Sequence, residues 1–200
     1  MAAPTPTPIV LNFMLEEQSA KQFLDVLLPK ILPSDVYFRC FPHQGKSELQ
    51  KSIPLKLKNW RNPTDFFVIV HDQDSNDCIA LKQELRELCK GVKSPGPLIR
   101  IVCRELEAWY FGDLAAVKKV FPKFRADKLP GNPESRDPDQ MHKPSAVLND
   151  IIQDFNKMHA AGEIPKYMNL KLTADKSKSF DNLVKGVKKF AEDCLRACNP

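Results

Sequence analysis

The sequence predicts an α/β protein with a mostly parallel sheet flanked by helices and a C-terminal helical extension. Short apolar runs that suit buried strands alternate with segments whose apolar residues recur at helical spacing. Such alternation is typical of parallel sheets that helices cover on both faces. Prolines become frequent after Pro122. We therefore divide the chain into an α/β core over residues 9–121 and a Pro-rich loop with a helical extension over residues 122–200, packed on the core.

The first two strands and the helix between them are predicted from residue 9 onwards. Residues 9–15 form a short apolar run that suits a buried strand. Ser19 and Gln22 have the spacing of a capping box, and apolar residues then recur at helical period until Pro33. Residues 35–41 suit a second strand by their β propensity. Residues 42–53 are polar and predict a loop, either irregular throughout or with a short helical turn.

The third and fourth strands carry the clearest signals. Residues 66–70 are five consecutive apolar residues, mostly aromatic or β-branched, and a polar turn rich in helix N-cap residues follows them. A helix is predicted over about residues 77–90. Residues 98–103 predict another strand, and the apolar spacing beyond it predicts a helix that starts near Arg104.

The second part of the chain predicts loops and helices only. Residues 123–143 contain several prolines and predict a long irregular loop. Two helices are expected afterwards, over about residues 145–159 and 180–197.

Composition limits the classes of partner and compartment. The net charge is +5 and the isoelectric point is about 8.8, a mild basic bias that is compatible with a polyanionic partner. The six cysteines include no CxxC pair and predict reduced thiols. No apolar run approaches the roughly 18 residues of a membrane span, and the N-terminus lacks the pattern of a secretory signal. We therefore expect a cytoplasmic protein without a membrane partner.

Acidic residues follow three of the predicted strands. Because parallel strands end at the same edge of a sheet, these carboxylates should converge there. Converging carboxylates raise one another's pKa unless a cation neutralises them, and Mg²⁺ (or Mn²⁺) suits an all-oxygen site. The sequence therefore predicts a metal site formed by Glu16, Glu17, Asp72, Asp74, Asp77, Glu105 and Glu107.

Spacing within these groups suggests different roles. Asp72 and Asp74 project to the same side of an extended turn, so both can reach one ion. Glu105 and Glu107 point about 200° apart on a helix, so we expect one to face the site and the other to make a structural contact. Asp77 is equally well placed to cap the following helix.

Several segments, in this order, resemble a known family. They are Phe-Met-Leu-Glu16-Glu17-Gln-Ser19-Ala, Val-Ile-Val-His-Asp72-Gln-Asp74-Ser-Asn-Asp77-Cys78, Cys103-Arg104-Glu105-Leu-Glu107-Ala-Trp109-Tyr, Lys143-Pro144-Ser145 and Lys178-Ser179-Phe180. The sequence resembles a bacterial Toprim-like family of unknown function (the one numbered forty-two seventy-six), related to OLD-type Toprim nucleases.

The resemblance implies a Toprim-like fold and a function. In the Toprim group a glutamate after the first strand and a DxD after the third form the metal site, and Glu16, Asp72 and Asp74 match these catalytic positions. The implied activity is metal-dependent nuclease cleavage of DNA or RNA. The resemblance also implies an effector that is paired with an ATPase in bacterial defence against phage.

Basic residues offer candidate contacts to nucleic-acid phosphates. Arg100 and Arg104 flank the acids, and Lys143 and Lys178 belong to a basic C-terminal half. The alternative is that the lysines are solvated and that the arginines pair with neighbouring glutamates.

Two other functions stay open on the sequence. One is a non-catalytic binding module that a metal stabilises and that regulates or docks on an ATPase partner. The other is a phosphoacceptor receiver domain, which needs a lysine after a fifth strand, and no convincing fifth strand is present in the sequence.

Overall fold

A computed structural model describes residues 7–92, 95–129, 131 and 137–199. Its centre is a sheet of four parallel strands in the order β2-β1-β3-β4. The strands are β1 (Ile9–Leu15), β2 (Val36–Pro42), β3 (Asp65–Asp72) and β4 (Leu98–Val102). The predicted α/β class, with a parallel sheet flanked by helices and a C-terminal helix, is confirmed.

Eight α-helices and four short 3-10 helices connect and cover the strands within the described residues. The 3-10 helices are Leu28–Lys30, Leu106–Gly112, Ala126–Lys128 and Pro138–Gln140. The α-helices are α1 (Gln18–Leu27), α2 (Lys46–Asn59), α3 (Cys78–Leu88), α4 (Leu114–Val120), α5 (Pro144–Ile151), α6 (Lys157–Tyr167), α7 (Leu170–Lys176) and α8 (Lys178–Cys198).

Both faces of the sheet are buried, which explains why β3 is apolar without interruption from Phe66 to Val70. Phe66, Val68 and Val70 point to the face that α1 and α8 cover. Phe67 and Ile69, which alternate with them, point to the face that α2 and α3 cover. The result is a three-layer arrangement with the sheet in the middle.

The helices of the second half of the chain pack on the first half. Helix α6 contacts α1 and α4, and α8 contacts β4 and β1. Asp139 is buried and accepts hydrogen bonds from the Ser177 hydroxyl (2.7 Å), the Ser179 backbone N–H (2.7 Å) and the Ser179 hydroxyl (2.8 Å). Trp109 donates its indole N–H to the Ser179 hydroxyl at 2.8 Å. This buried group ties the Pro-rich segment and the start of α8 to the segment after β4.

The loop predicted over residues 42–53, with at most a short helical turn, is wrong, because the 14-residue helix α2 begins at Lys46. Leu49, Ile53 and Leu57 are buried on one side of α2 at intervals of four residues. The remaining positions of α2 are largely polar, and this composition hides the apolar stripe. Gly45 precedes the helix in the left-handed region (φ 98°), where glycine is favoured.

The helix predicted over residues 145–159 is two helices. The backbone becomes extended at Ile152, and Asp154 is left-handed with φ 56°. Asn156 then caps α6 by accepting a hydrogen bond from the His159 N–H at 2.8 Å. Helix α6 therefore begins at Lys157, and α7 is a further helix that the sequence pattern did not predict.

Three smaller differences concern the ends of elements. The predicted capping box at Ser19 is wrong, because Glu17 holds the N-cap position of α1 and Ser19 is inside the first turn. The helix expected near Arg104 is a 3-10 helix that begins at Leu106. Residues 123–143 contain two 3-10 helices, and Pro130 and Pro133 of that predicted loop lie outside the described residues.

The six cysteines are free thiols. Within the part of the chain that the structure describes, no helix combines the length and the apolar character needed to cross a membrane.

Candidate functional site

The acids of interest lie at the carboxyl edge of the sheet, beside the point where the strand order reverses. β1 lies between β2 and β3, so the connections that leave β1 and β3 diverge at this position. Ligands of open parallel sheets bind in the crevice at such a switch point. Glu16 directly follows β1, and Asp72 is the last residue of β3. Glu16 Oε2 accepts a hydrogen bond from the Asp72 backbone N–H at 3.3 Å, which joins the two strand ends.

Glu16 is held by a buried histidine. His71 Nδ1 lies 3.2 Å from Glu16 Oε2 and 2.6 Å from the Asp72 carbonyl oxygen. Both neighbours are acceptors, so Nδ1 carries the proton. Gln50 of α2 approaches the other ring nitrogen, with 3.3 Å between its Nε2 and His71 Nε2. Burial raises the pKa of Glu16, and the neighbouring His71 opposes this rise.

Asp72 is the acid at the centre of the negative charge. Its side chain shares the face of β3 with Val70, which α1 and its neighbours cover. Burial raises the pKa of Asp72 well above its usual range, and the charges of Glu16, Glu107 and Glu17 raise it further. Three glutamates from two strand ends therefore act on one aspartate.

Glu107 is the buried acid that the sequence could not distinguish from Glu105. It has no solvent exposure, and among the described residues neither of its carboxylate oxygens has a hydrogen-bond partner. The ammonium of Lys157 lies 3.3 Å from Glu107 Oε1, close enough for an ion pair. Burial raises the pKa of Glu107, and Lys157 lowers it. Glu107 thus faces the other acids.

Glu105 makes a structural contact instead. Its Oε2 accepts a hydrogen bond from the Ser145 backbone N–H at 3.0 Å, in the first turn of α5. Lys143 at the N-cap position of α5 is left-handed (φ 47°) and exposed. The segment of residues 143–145 therefore serves to dock α5 on the turn after β4.

Glu17 and Asp74 each pair with a lysine that the sequence analysis did not single out. Glu17 Oε1 lies 2.6 Å from Lys157 Nζ and accepts the Ser19 hydroxyl at 2.5 Å. Asp74 Oδ2 lies 3.3 Å from Lys46 Nζ, at the start of α2. Asp74 is left-handed (φ 52°), a conformation that aspartate tolerates better than most residues.

The turn after β3 is fixed by the backbone after β4. The Gln73 N–H donates to the Val102 carbonyl and the Asp74 N–H donates to the Arg104 carbonyl, each at 2.8 Å. The Arg104 N–H donates in return to Gln73 Oε1 at 3.2 Å. Arg104, itself left-handed (φ 62°), therefore positions the turn through its backbone.

The remaining candidates are placed elsewhere. Asp77 caps α3, with its Oδ1 accepting the Ile79 and Ala80 N–H groups at 2.9 and 2.8 Å. Arg100 reaches α8, where its Nε donates to the Asn182 carbonyl at 2.9 Å. Lys178 is exposed at the start of α8, 3.8 Å from Asp181 Oδ2.

A buried tyrosine is a further member of the site. Tyr110 has no solvent exposure, and its hydroxyl has no hydrogen-bond partner among the described residues. Burial raises its pKa, and the charges of Glu107, Glu17 and Asp72 raise it further. Nothing in the sequence pattern around Tyr110 indicated that its hydroxyl lies near the acids.

An open cavity of about 370 Å³ adjoins the acids. Glu16, Glu17 and Lys157 line it together with residues 43–45, which follow β2. A larger cavity of about 790 Å³ lies near Asp65 at the opposite, amino-terminal end of β3. The smaller cavity, in contrast to the larger one, is lined by Glu16 and Glu17 of the cluster.

The donor set suits a hard divalent cation. Carboxylates are the ligands that Mg²⁺ prefers, and Mg²⁺ commonly takes one or two of them together with water and substrate phosphate oxygens. The oxygens of buried Glu107 have no hydrogen-bond partner among the described residues, and the Lys157 ammonium 3.3 Å from Oε1 compensates their charge. Across residues 7–92, 95–129, 131 and 137–199, however, no three His, Cys, Asp or Glu side chains are grouped closely enough to hold an ion by themselves. A cation would therefore be bound by part of the cluster.

The fold and the acids at the carboxyl edge define the class of protein. It is a parallel α/β protein with an acidic cluster at the switch point of its sheet. The chain belongs to the family described as Domain of unknown function (DUF4276), whose model matches residues 15–188. This range includes all the acids of the cluster. No curated protein and no solved structure matches the chain.

Proposed function

We propose that the protein is a metal-dependent nuclease of Toprim type whose acidic cluster acts on phosphodiesters of DNA or RNA. The observation that supports this most strongly is buried Glu107 beside Asp72, because neither of its oxygens has a hydrogen-bond partner among the described residues. One ammonium, that of Lys157, faces several converging carboxylates, so a divalent cation would neutralise negative charge that this lysine leaves uncompensated. The resemblance of Glu16, Asp72 and Asp74 to the Toprim positions gives the reaction class.

The acids share the roles in this proposal. One or two carboxylates from among Asp72, Asp74, Glu107 and Glu17 would hold Mg²⁺ or Mn²⁺, together with water and substrate oxygens. A bound divalent ion neutralises the phosphodiester and makes water a better nucleophile. Glu16, whose pKa is raised by burial, suits a general base that takes a proton from the attacking water. His71 keeps Glu16 oriented through its Nδ1–H.

The experiment compares three aspartate variants that preserve shape. Asp72→Asn and Asp74→Asn remove charge from the cluster, and asparagine tolerates the left-handed backbone at residue 74. Asp77→Asn is the matched control, because asparagine caps a helix as well as aspartate does. Cleavage of plasmid, single-stranded DNA and tRNA is measured with Mg²⁺ and with Mn²⁺. We expect the first two variants to lose at least about 100-fold in rate and the control to keep its activity.

A second candidate is a non-catalytic module that docks on an ATPase partner. It is favoured by the partners that Glu17 and Asp74 already have in Lys157 and Lys46, since these cations compensate part of the charge without a metal. This candidate predicts stoichiometric association with the partner ATPase, a change in ATP hydrolysis and equal behaviour of the wild type and Asp72→Asn. Cleavage that depends on Asp72 contradicts it. Under both candidate functions we propose that the protein is cytoplasmic.

A further inference from the structure

Lys157 brings a positive charge from the second half of the chain into the acidic cluster. Its Nζ lies 2.6 Å from Glu17 Oε1 and 3.3 Å from Glu107 Oε1, so one ammonium bridges the segments that follow β1 and β4. The side chain is 37% exposed, whereas Glu107 is fully buried. Lys157 therefore spans from the buried carboxylate to the open cavity that it lines.

The position of Lys157 on its helix is unfavourable for a cation. It is the first residue of α6, where the backbone N–H groups and the helix dipole present positive charge. A lysine at this end gains nothing from its own helix. Its ammonium is held there by Glu17 and Glu107, and α6 is held by its packing against α1. The bridge thus belongs to the acidic cluster rather than to the capping of α6.

A divalent cation and the Lys157 ammonium would need the same carboxylate oxygens. Two cations on Glu17 and Glu107 at contact distance repel each other, so one must leave when the other binds. Lys157 is able to leave, because its side chain is long and borders a cavity of about 370 Å³. Glu107 is fixed in a buried turn, and its oxygens would stay with whichever cation is present.

We propose that Lys157 is a built-in counter-ion which a divalent metal displaces from Glu17 and Glu107, so that Lys157 sets the metal affinity of the site. The displaced ammonium then extends into the cavity, where it is available to contact a phosphate of the substrate. This inference rests on the proposed function and names the regulation of the same site. Lys157 acts here as a positioning residue for charge and takes no part in bond cleavage.

The first experiment measures Mn²⁺ and Mg²⁺ binding by calorimetry to the full chain. The wild type is compared with Lys157→Met, which removes the competing charge at similar length, and with Lys157→Arg, which retains it. Lys189→Met is the control, since Lys189 pairs with Asp193 on α8. We expect Lys157→Met to bind metal at least about tenfold more tightly than the wild type. Lys157→Arg and Lys189→Met should stay within a few-fold of the wild type. Unchanged or weaker binding by Lys157→Met overturns the inference.

The second experiment uses the wild type alone and therefore does not depend on how a variant folds. Lysines are acetylated with a water-soluble acylating reagent, with and without Mn²⁺, and each site is quantified by peptide mass spectrometry. Displacement predicts that Mn²⁺ increases the labelling of Lys157 several-fold and leaves that of Lys189 unchanged. If calorimetry detects Mn²⁺ binding but the labelling of Lys157 does not change, the inference fails and the proposed function stands. If neither the wild type nor Lys157→Met binds metal, the metal-dependent function fails and the inference fails with it.

Discussion

His71 Nδ1 lies 3.2 Å from Glu16 Oε2, and the ring is completely buried at the end of β3. The same nitrogen donates to the carbonyl oxygen of Asp72 at 2.6 Å. A single ring N–H thus links the first acid of the cluster to the backbone of the second. Gln50 of α2 approaches the opposite nitrogen, on the face of the sheet that α2 and α3 cover.

Removing the His71 donor should cost about 1–3 kcal/mol of the free energy of unfolding, because buried acceptors lose their partner. We expect His71→Leu to show this loss in urea denaturation. His71→Asn should retain more stability, since its amide nitrogen can take the place of Nδ1. Gln50→Ala is the control and should change stability less than His71→Leu does. Equal losses in His71→Leu and His71→Asn would show that packing, rather than the N–H, is what His71 supplies.

Asp72 should make the protein less stable as the pH rises. Its pKa in the folded state is raised by burial and by Glu16, Glu107 and Glu17, whereas in the unfolded state it lies near the usual 3.8. Between these two pKa values the folded state holds a proton that the unfolded state has lost, so stability falls with increasing pH. Asp72→Asn removes this dependence and should gain about 1 kcal/mol or more at pH 7 without added metal.

The measurement for Asp72→Asn is urea denaturation in a metal chelator at several pH values from about 4 upwards. Asp77→Asn serves as the control because Asp77 is an exposed helix cap. A wild type whose stability falls no more steeply than that of Asp72→Asn over this range would contradict the raised pKa.

Asp139 should be among the residues most sensitive to substitution outside the site. Asp139→Ala would leave the hydroxyls of Ser177 and Ser179 and one backbone N–H without their buried acceptor. We expect a loss of about 2–4 kcal/mol in the free energy of unfolding, measured by chemical denaturation. Asp137→Ala, which removes only an exposed cap in the same segment, should cost about 1 kcal/mol. Similar losses for the two variants would contradict the role of the buried group.

Arg100 and Gly186 should be coupled energetically. A Cβ at Gly186 would lie 1.8 Å from an Arg100 guanidinium nitrogen, so α8 has room for that side chain only because residue 186 is glycine. In the Arg100→Ala background, Gly186→Ala should stabilise the protein by about 1 kcal/mol through helix propensity. In the wild type the same substitution should give no gain, because it displaces Arg100 from the Asn182 carbonyl. A double-mutant cycle measures the difference, and additive effects would contradict the contact.

The sheet and the acids at its edge could be predicted because both depend on short stretches of sequence. The apolar runs before Glu16, Asp72 and Glu105 define strands, and parallel strands bring their ends together wherever the helices lie. Helix α2 was missed because its buried stripe of Leu49, Ile53 and Leu57 stands among polar residues.

The cations of the site were missed for a different reason. Lys157 reaches Glu17 only because the chain turns at Ile152 and Asp154 and lays α6 against α1. No local pattern encodes a contact between residues so far apart along the chain. Asn156, a good N-cap residue, was the one local sign that a new helix starts at Lys157.

The ion pairs of Lys157 with Glu17 and Glu107 also affect the order in which the parts of the site fold during synthesis. During synthesis the four strands and every acid of the cluster leave the ribosome before Lys157 does. Until α6 docks, the carboxyl edge of the nascent sheet carries its negative charge without Lys157. The contact of Lys157 with Glu17 joins residues far apart in sequence, and such contacts form slowly. The docking of α6 therefore decides when Lys157 neutralises part of this charge, after the sheet and its acids have been made.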